Sequence, residues 1–254
     1  MDMKVHCLGT TGYHPNEHRH TSCYFLPADG IVLDAGSGMF RLPPLIATDR
    51  LDILLSHVHL DHIVGLTYLH DILYTRPVEN VAVWGESAKL QAVQEHLFHD
   101  LIFPAPIKVS WEPIDDRKQI KLGVDGAVTV DWQAQQHPGG SLAFRLHWRK
   151  ANKTLVYATD TSGDLSPGSL QWMKGADLLM HECYFRDDAQ QWAIKTGHSW
   201  TTRAAEVARD ADVTRLLLTH INPLASDPDP VDINVATGIF KNTQVASDGD
   251  VIEF

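Results

Sequence analysis

One short run limits this chain more than any other: Ser56-His57-Val58-His59-Leu60-Asp61-His62, three imidazoles and a carboxylate within six positions. It follows an apolar run over residues 52–55 that reads as a strand. In extended backbone, side chains two apart share a face, so His57 and His59 can address one ion. Asp61 and His62 arrive as the chain bends into a helix-like stretch over residues 63–69, where they can face a second ion. Without a cation, four such groups on one turn would carry a large cost in desolvation and repulsion. A metal-binding turn at the end of a strand is therefore the first expectation.

The fold has to support that turn. Apolar β-type runs are expected at residues 4–8, 23–26, 31–33, 53–55, 81–84, 128–132, 142–148, 154–158, 178–180 and 216–219. Asp29-Gly30 between the second and third of them signals a tight hairpin. Helical spacing marks residues 87–98, through Leu90, Val93, Gln94 and Leu97. A second helix is expected through Trp200, Ala204, Val207, Ala208 and Ala211, with Ser199 as its N-cap. Strands interleaved with helices in both halves predict an α/β fold, sheets in layers with helices outside. No linker or repeat divides the 254 residues, so residues 1–254 are read as a single domain.

Three further ligand-type residues follow the same logic. His137 comes after the run 128–132, Asp160 after 154–158 and His220 after 216–219. Each sits just past an apolar strand, where loops gather at one edge of a sheet. That recurrence points to one shared site.

The string His57-x-His59-x-Asp61-His62, with His137, Asp160 and His220 in that order, resembles the signature of the metallo-β-lactamase superfamily. The resemblance implies a four-layer αββα sandwich with the site at its edge. It implies two divalent metal ions, zinc or else manganese: His57, His59 and His137 on one, Asp61, His62 and His220 on the other, Asp160 bridging. Asp34, in Leu33-Asp34-Ala35-Gly36, matches an early Asp that supports the ligands from behind; otherwise it is a turn residue.

Three further stretches resemble the ribonuclease Z branch: Leu8-Gly9-Thr10, Phe144-Arg145-Leu146, and the run from Leu179-Met180-His181-Glu182 through Gly197-His198-Ser199 to Leu217-Leu218-Thr219-His220-Ile221. The resemblance makes His198 a catalytic histidine and not a ligand; the alternative is a polar residue at a helix start. Glu182 could orient His198 by accepting a ring N–H, or be ordinary polarity at a strand end. The expected chemistry is hydrolysis of a phosphodiester by a metal-bridging hydroxide, with Asp61 positioning the nucleophile and His198 as general acid. The alternatives are tRNA 3′ processing, hydrolysis of a lactone, ester or thioester, and a non-catalytic metal-binding domain. A full two-ion ligand set argues against the last, since structural sites usually close four ligands around one ion.

Charge and composition narrow the partners. A net charge of −11 from 21 basic and 32 acidic side chains is unlike a protein that tracks long nucleic acid. Only 23 positions separate His137 from Asp160, too few for the basic arm with which ribonuclease Z enzymes grip tRNA. Arg145, His147, Arg149, Lys150 and Lys153 fall within or near the hairpin there, as a solvated basic turn or an RNA contact. A phosphodiester or other small molecule is the expected substrate, and a homodimer suits the branch. No apolar run reaches the roughly 18 residues that a membrane span needs. No signal peptide is read at the N-terminus, and the cysteines Cys7, Cys23 and Cys183 fit buried thiols in a reducing cytoplasm. Two loops are expected near the site. One carries His14, His18 and His20; the other is the proline-rich run Ala225-Ser226-Asp227-Pro228-Asp229-Pro230.

Overall fold

The apolar runs pair into two seven-stranded sheets in the computed structural model, which describes residues 3–225 and 227–254. The first holds β1 (Lys4–Gly9), β2 (Cys23–Leu26), β3 (Ile31–Leu33), β4 (Arg50–Leu54), β5 (Asn80–Gly85) and β6 (Ser110–Pro113). The second holds β7 (Ile120–Leu122), β8 (Val128–Gln135), β9 (Ser141–Trp148), β10 (Lys153–Ala158), β11 (Leu178–Glu182), β12 (Leu216–Thr219) and β13 (Thr243–Val245). The last strand, β14 (Val251–Glu253), returns to the outer edge of β1 in the first sheet.

Both sheets are mixed, and their direction decides where the site can form. Strands β3 to β6 run parallel, as do β10 to β13. Strands β8, β9 and β10 are antiparallel neighbours, so β8 and β10 end at the same edge.

Three apolar layers separate four layers of structure. Tyr24, Leu26, Leu33 and Leu54 of the first sheet meet Phe144, Leu146, Leu155 and Tyr157 of the second, forming the central core. The outer face of the first sheet buries Phe25, Val32 and Ile53 against α1 (Leu60–Ile63), α2 (Leu69–Thr75) and α3 (Ser87–Ala92). The outer face of the second buries Val156, Leu179 and Leu218 against α4 (Pro167–Met173), α6 (Thr201–Asp210) and α7 (Ile233–Ile239). A short helix between them in sequence, α5 (Gln190–Thr196), precedes the Gly197-His198-Ser199 turn. Helix α6 lies close because its buried face is small: Ala204, Ala205, Val207 and Ala208. The result is the four-layer αββα arrangement expected from the sequence.

Some local expectations need correction. The helix over residues 87–98 is α3 followed by a wider π-helical turn, Val93–Leu97. Ser199 does not cap α6. Trp200 holds the cap position, while the Ser199 hydroxyl donates to the Thr161 carbonyl 2.7 Å away. The hairpin at Asp29-Gly30 closes through residues 27–30, with Gly30 at φ 67°. Among the described residues no helix is long and apolar enough to cross a membrane.

Candidate metal centre

Every expected ligand lies past the C-terminal end of a strand, and those ends meet at one edge of the sandwich. His57, His59, Asp61 and His62 follow β4, His137 follows β8, Asp160 follows β10 and His220 follows β12. Two of these turns require unusual backbone: Asp160 at φ 48° and His220 at φ 51° both occupy the left-handed region. Such a conformation costs about 1–2 kcal/mol per residue and persists where the surroundings fix it. At His220 the fit is tight, since a Cβ on Gly12 would lie 2.1 Å from its Cε1.

The ligand atoms form two groups that share Asp160. Its Oδ1 lies 3.7 Å from His57 Nε2 and 3.5 Å from His137 Nε2. Its Oδ2 lies 3.2 Å from His62 Nε2 and 3.3 Å from His220 Nε2. Asp61 Oδ2 stands 3.3 Å and 3.4 Å from the same two rings, and His59 Nδ1 is 3.4 Å from His137 Nε2. Within each group, His57-His59-His137-Asp160 and Asp61-His62-His220, these atoms all lie within 4.8 Å of one another.

The donor set fits divalent metal. Bonds of about 2.0–2.2 Å to a tetrahedral ion place ligand atoms about 3.3–3.6 Å apart, the spacing found here. His57 Nε2 is buried with no hydrogen-bond partner, a loss that ligation would repair. Burial pushes His57, His59 and His137 downward, towards the neutral imidazole that ligates metal. Burial opposes charge on Asp61 and Asp160 too, but the facing His62 and His220 rings hold both well below the usual carboxylate range. His62 is pushed up against burial by Asp61, Asp160 and Asp34.

Asp34 lies behind the ligands, fully buried, at φ 56° at the end of β3. Its carboxylate accepts the Ser56 N–H and hydroxyl, each at 2.7 Å, and the Tyr157 hydroxyl and His62 Nδ1–H, each at 2.8 Å. That last bond fixes the tautomer leaving Nε2 for the site. His137 is oriented in the same way, with Nδ1–H donating to the Gly197 carbonyl at 3.0 Å.

Beside the second group lies the other expected pair. Glu182, fully buried at the end of β11, accepts His198 Nδ1–H at 3.0 Å. It also accepts the Thr161 N–H at 2.6 Å and the Ser199 N–H at 3.1 Å. Burial alone would lower His198, but the Glu182 carboxylate raises it to about 9. The His198 ring stacks on His220 at 5.5 Å and 22°, and it falls within ligand distance of Asp160 and His220.

A cavity of about 520 Å³ opens over these groups. Its lining includes His59, Asp61, His137, Asp160, His198 and His220, together with Tyr13, Tyr184 and Leu224. The last three were not foreseen as site residues. The histidine loop comes near only through Tyr13, whose N–H donates to Asp61 Oδ2 at 2.7 Å. His14 is exposed and His20 packs on Phe40, and neither lines the cavity, nor does His18. In the proline-rich run after His220, Ser226 lies outside the described residues.

Three of the five basic residues of the β9–β10 hairpin are engaged within the fold, while Arg149 and Lys150 in its turn are exposed. Arg145 pairs with Asp131, Lys153 with Asp177, and His147 lies 3.0 Å from the Thr154 hydroxyl. The hairpin turn lies at the far end of β9 from the site. That strand's eight residues span roughly 25 Å at about 3.3 Å per residue.

Comparison with known proteins bears on the family and the fold. The family model for the beta-lactamase superfamily domain matches residues 30–221. Ribonuclease Z of Archaeoglobus fulgidus is 27% identical over 302 aligned positions, covering 98% of this chain and 96% of the relative. The alignment is longer than this chain, so that relative carries segments absent here. The metallo-beta-lactamase fold protein YhfI of Bacillus subtilis superposes with a TM-score of 0.77 at 23% identity, covering 100% and 99% of the two chains. Human tRNase Z, short form, superposes with 0.76 at 22% identity, covering 98% of each. The chain belongs to the metallo-β-lactamase superfamily, as a metal-dependent hydrolase close to its ribonuclease Z branch.

Proposed function

We propose that this chain is a two-metal phosphodiester hydrolase whose substrates are small diesters. The observation that carries this reading is the His198–Glu182 pair. It fixes an imidazole on a buried carboxylate in the same cavity as both ligand groups. His57, His59 and His137 would hold one ion and Asp61, His62 and His220 the other, with one Asp160 oxygen towards each. An imidazole-rich donor set suits zinc, with manganese the alternative. Bound there, the ions would supply Lewis acidity towards phosphoryl oxygens and lower the pKa of water towards about 7.

The protein's own groups would do the rest. Asp61, held by the Tyr13 N–H, is placed to orient the attacking water and accept its proton. His198 has one ring nitrogen fixed by Glu182, which leaves Nε2 to protonate the departing oxygen. Asp34 keeps the His62 ring in register.

The ribonuclease Z relatives favour a second reading, tRNA 3′ processing. The short hairpin, whose Arg145 and Lys153 are held in ion pairs, and the acidic chain weigh against it. Turnover of bis(p-nitrophenyl) phosphate, compared with p-nitrophenyl acetate and a thioester, separates the reaction classes. Zinc-loaded protein is expected to cleave the diester at least tenfold faster than either ester, and a chelator should abolish that activity. Faster turnover of an ester or thioester would overturn the phosphodiesterase reading.

A further inference from the structure

The peptide that leaves Asp160 is bonded to the His198–Glu182 pair. Its N–H, that of Thr161, donates to Glu182 Oε1 at 2.6 Å, the oxygen that also accepts His198 Nδ1–H at 3.0 Å. Glu182 Oε2 accepts the Ser199 N–H at 3.1 Å, and the Ser199 hydroxyl donates to the Thr161 carbonyl at 2.7 Å. Thr161, Glu182 and Ser199 thus close a ring of hydrogen bonds, and all three are buried.

The Thr161 side chain anchors that ring to the sheet. Its hydroxyl donates to Gln135 Oε1 at 2.9 Å and accepts the Gly163 N–H at 3.1 Å. Gln135 is the last residue of β8, two positions before His137. Its Nε2 lies 3.3 Å from both the Gln133 and the Ala134 carbonyls, which leaves Oε1 to face Thr161. Threonine hydroxyls commonly bond to their own stretch of backbone; this one also spans from the loop after β10 to the end of β8. His198 needs such an anchor, because it stands in the turn between α5 and α6 whereas Asp160 follows β10. A reacting group misplaced by about 1 Å loses roughly 10²-fold in rate, so the separation of His198 from Asp160 has to be fixed.

We propose that Thr161 is a positioning residue for the general acid, holding His198 through Glu182 and Ser199 at a set place relative to Asp160. Gln135 keeps Thr161 in that role by accepting its hydroxyl. This inference rests on the phosphodiesterase reading, which assigns the acid, and deepens it.

The test uses two diesters that differ in their need for an acid. Diphenyl phosphate has a poor leaving group that depends on a proton donor, whereas bis(p-nitrophenyl) phosphate has a good one that depends on it less. In zinc-loaded protein, Thr161→Val should lower kcat for diphenyl phosphate about 100-fold, the fall on bis(p-nitrophenyl) phosphate being about tenfold smaller. Zinc content should stay at the parent level, and Thr161→Ser, which keeps the hydroxyl, should restore both rates. A second readout is the downfield proton resonance of the His198 ring N–H, assigned by its loss in His198→Ala. It should be sharp in the parent and in Thr161→Ser, and shifted or broadened by exchange in Thr161→Val. Gln135→Leu removes the acceptor without touching the loop and should give the same pattern, including where Thr161→Val does not fold. An equal fall on both diesters, no fall on either, loss of zinc, or failure of the serine variant to restore activity would overturn the inference and leave the phosphodiesterase reading intact. No turnover of either diester by the zinc-loaded parent would overturn both.

Discussion

Asp160 and His198 divide the demands of the site at the scale of single residues. Asp160 sits in a left-handed conformation with one oxygen towards each ligand group, and the Thr159 hydroxyl donates to its Oδ2 at 2.7 Å. His198 stands at the edge of both groups, with Nδ1 held by Glu182. If His198 is the general acid and not a ligand, His198→Ala lowers turnover by roughly 10²–10⁴-fold while metal content stays at the parent level. Loss of metal in that variant would make it a ligand, a role its distance from Asp160 and His220 permits. Two kinds of residue differ here in how legible they were. Histidines and aspartates at fixed offsets past apolar strands carry their meaning in the sequence, so the seven ligand-type residues, Glu182 and Asp34 could all be named. Tyr13, Tyr184 and Tyr157 could not, because a tyrosine near a strand end reads as core whether it packs, donates to Asp34 or lines a cavity.

At the scale of elements, the site depends on strand ends and on the loops pressed against them. The loop after β1 is one such support: Gly12 donates its N–H to the Ile221 carbonyl and faces the His220 ring. A Cβ there would meet that ring's three nearest atoms at 2.1–2.6 Å. Gly12→Ala should therefore displace His220 and weaken binding of one of two metal ions about 10–100-fold, read as a biphasic metal titration. An unchanged titration would show that the loop yields instead. The interior strands were legible because uninterrupted apolar runs announce them, even ones as short as β2, β3 and β12. Strands β6, β7, β13 and β14 were not, being three or four residues long with polar residues among the apolar ones. The sheet imposes their conformation, since so few residues carry little periodic signal. Ser199 misled for a related reason: a serine before a helical run reads as a cap, but its hydroxyl is drawn to Thr161 and its N–H to Glu182.

Over the whole molecule, two mixed sheets with parallel halves bring the ends of β4, β8, β10, β11 and β12 to one edge, so residues from 57 to 220 lie together. The layers were legible from alternating apolar runs and the site edge from where the ligands fell in them. The pairing of β14 with β1 and the cavity above the ions were not, because both arise from long-range packing that no local pattern encodes. The central proposal is that two ions act as one unit through Asp160. The direct test is to strip the protein with chelator, add zinc in steps, and follow bis(p-nitrophenyl) phosphate hydrolysis against bound metal in the parent and in Asp160→Ala. Turnover should rise to a plateau at two ions per chain in the parent and stay at background in the variant. Full activity at one ion per chain, or undiminished turnover in Asp160→Ala, would contradict it.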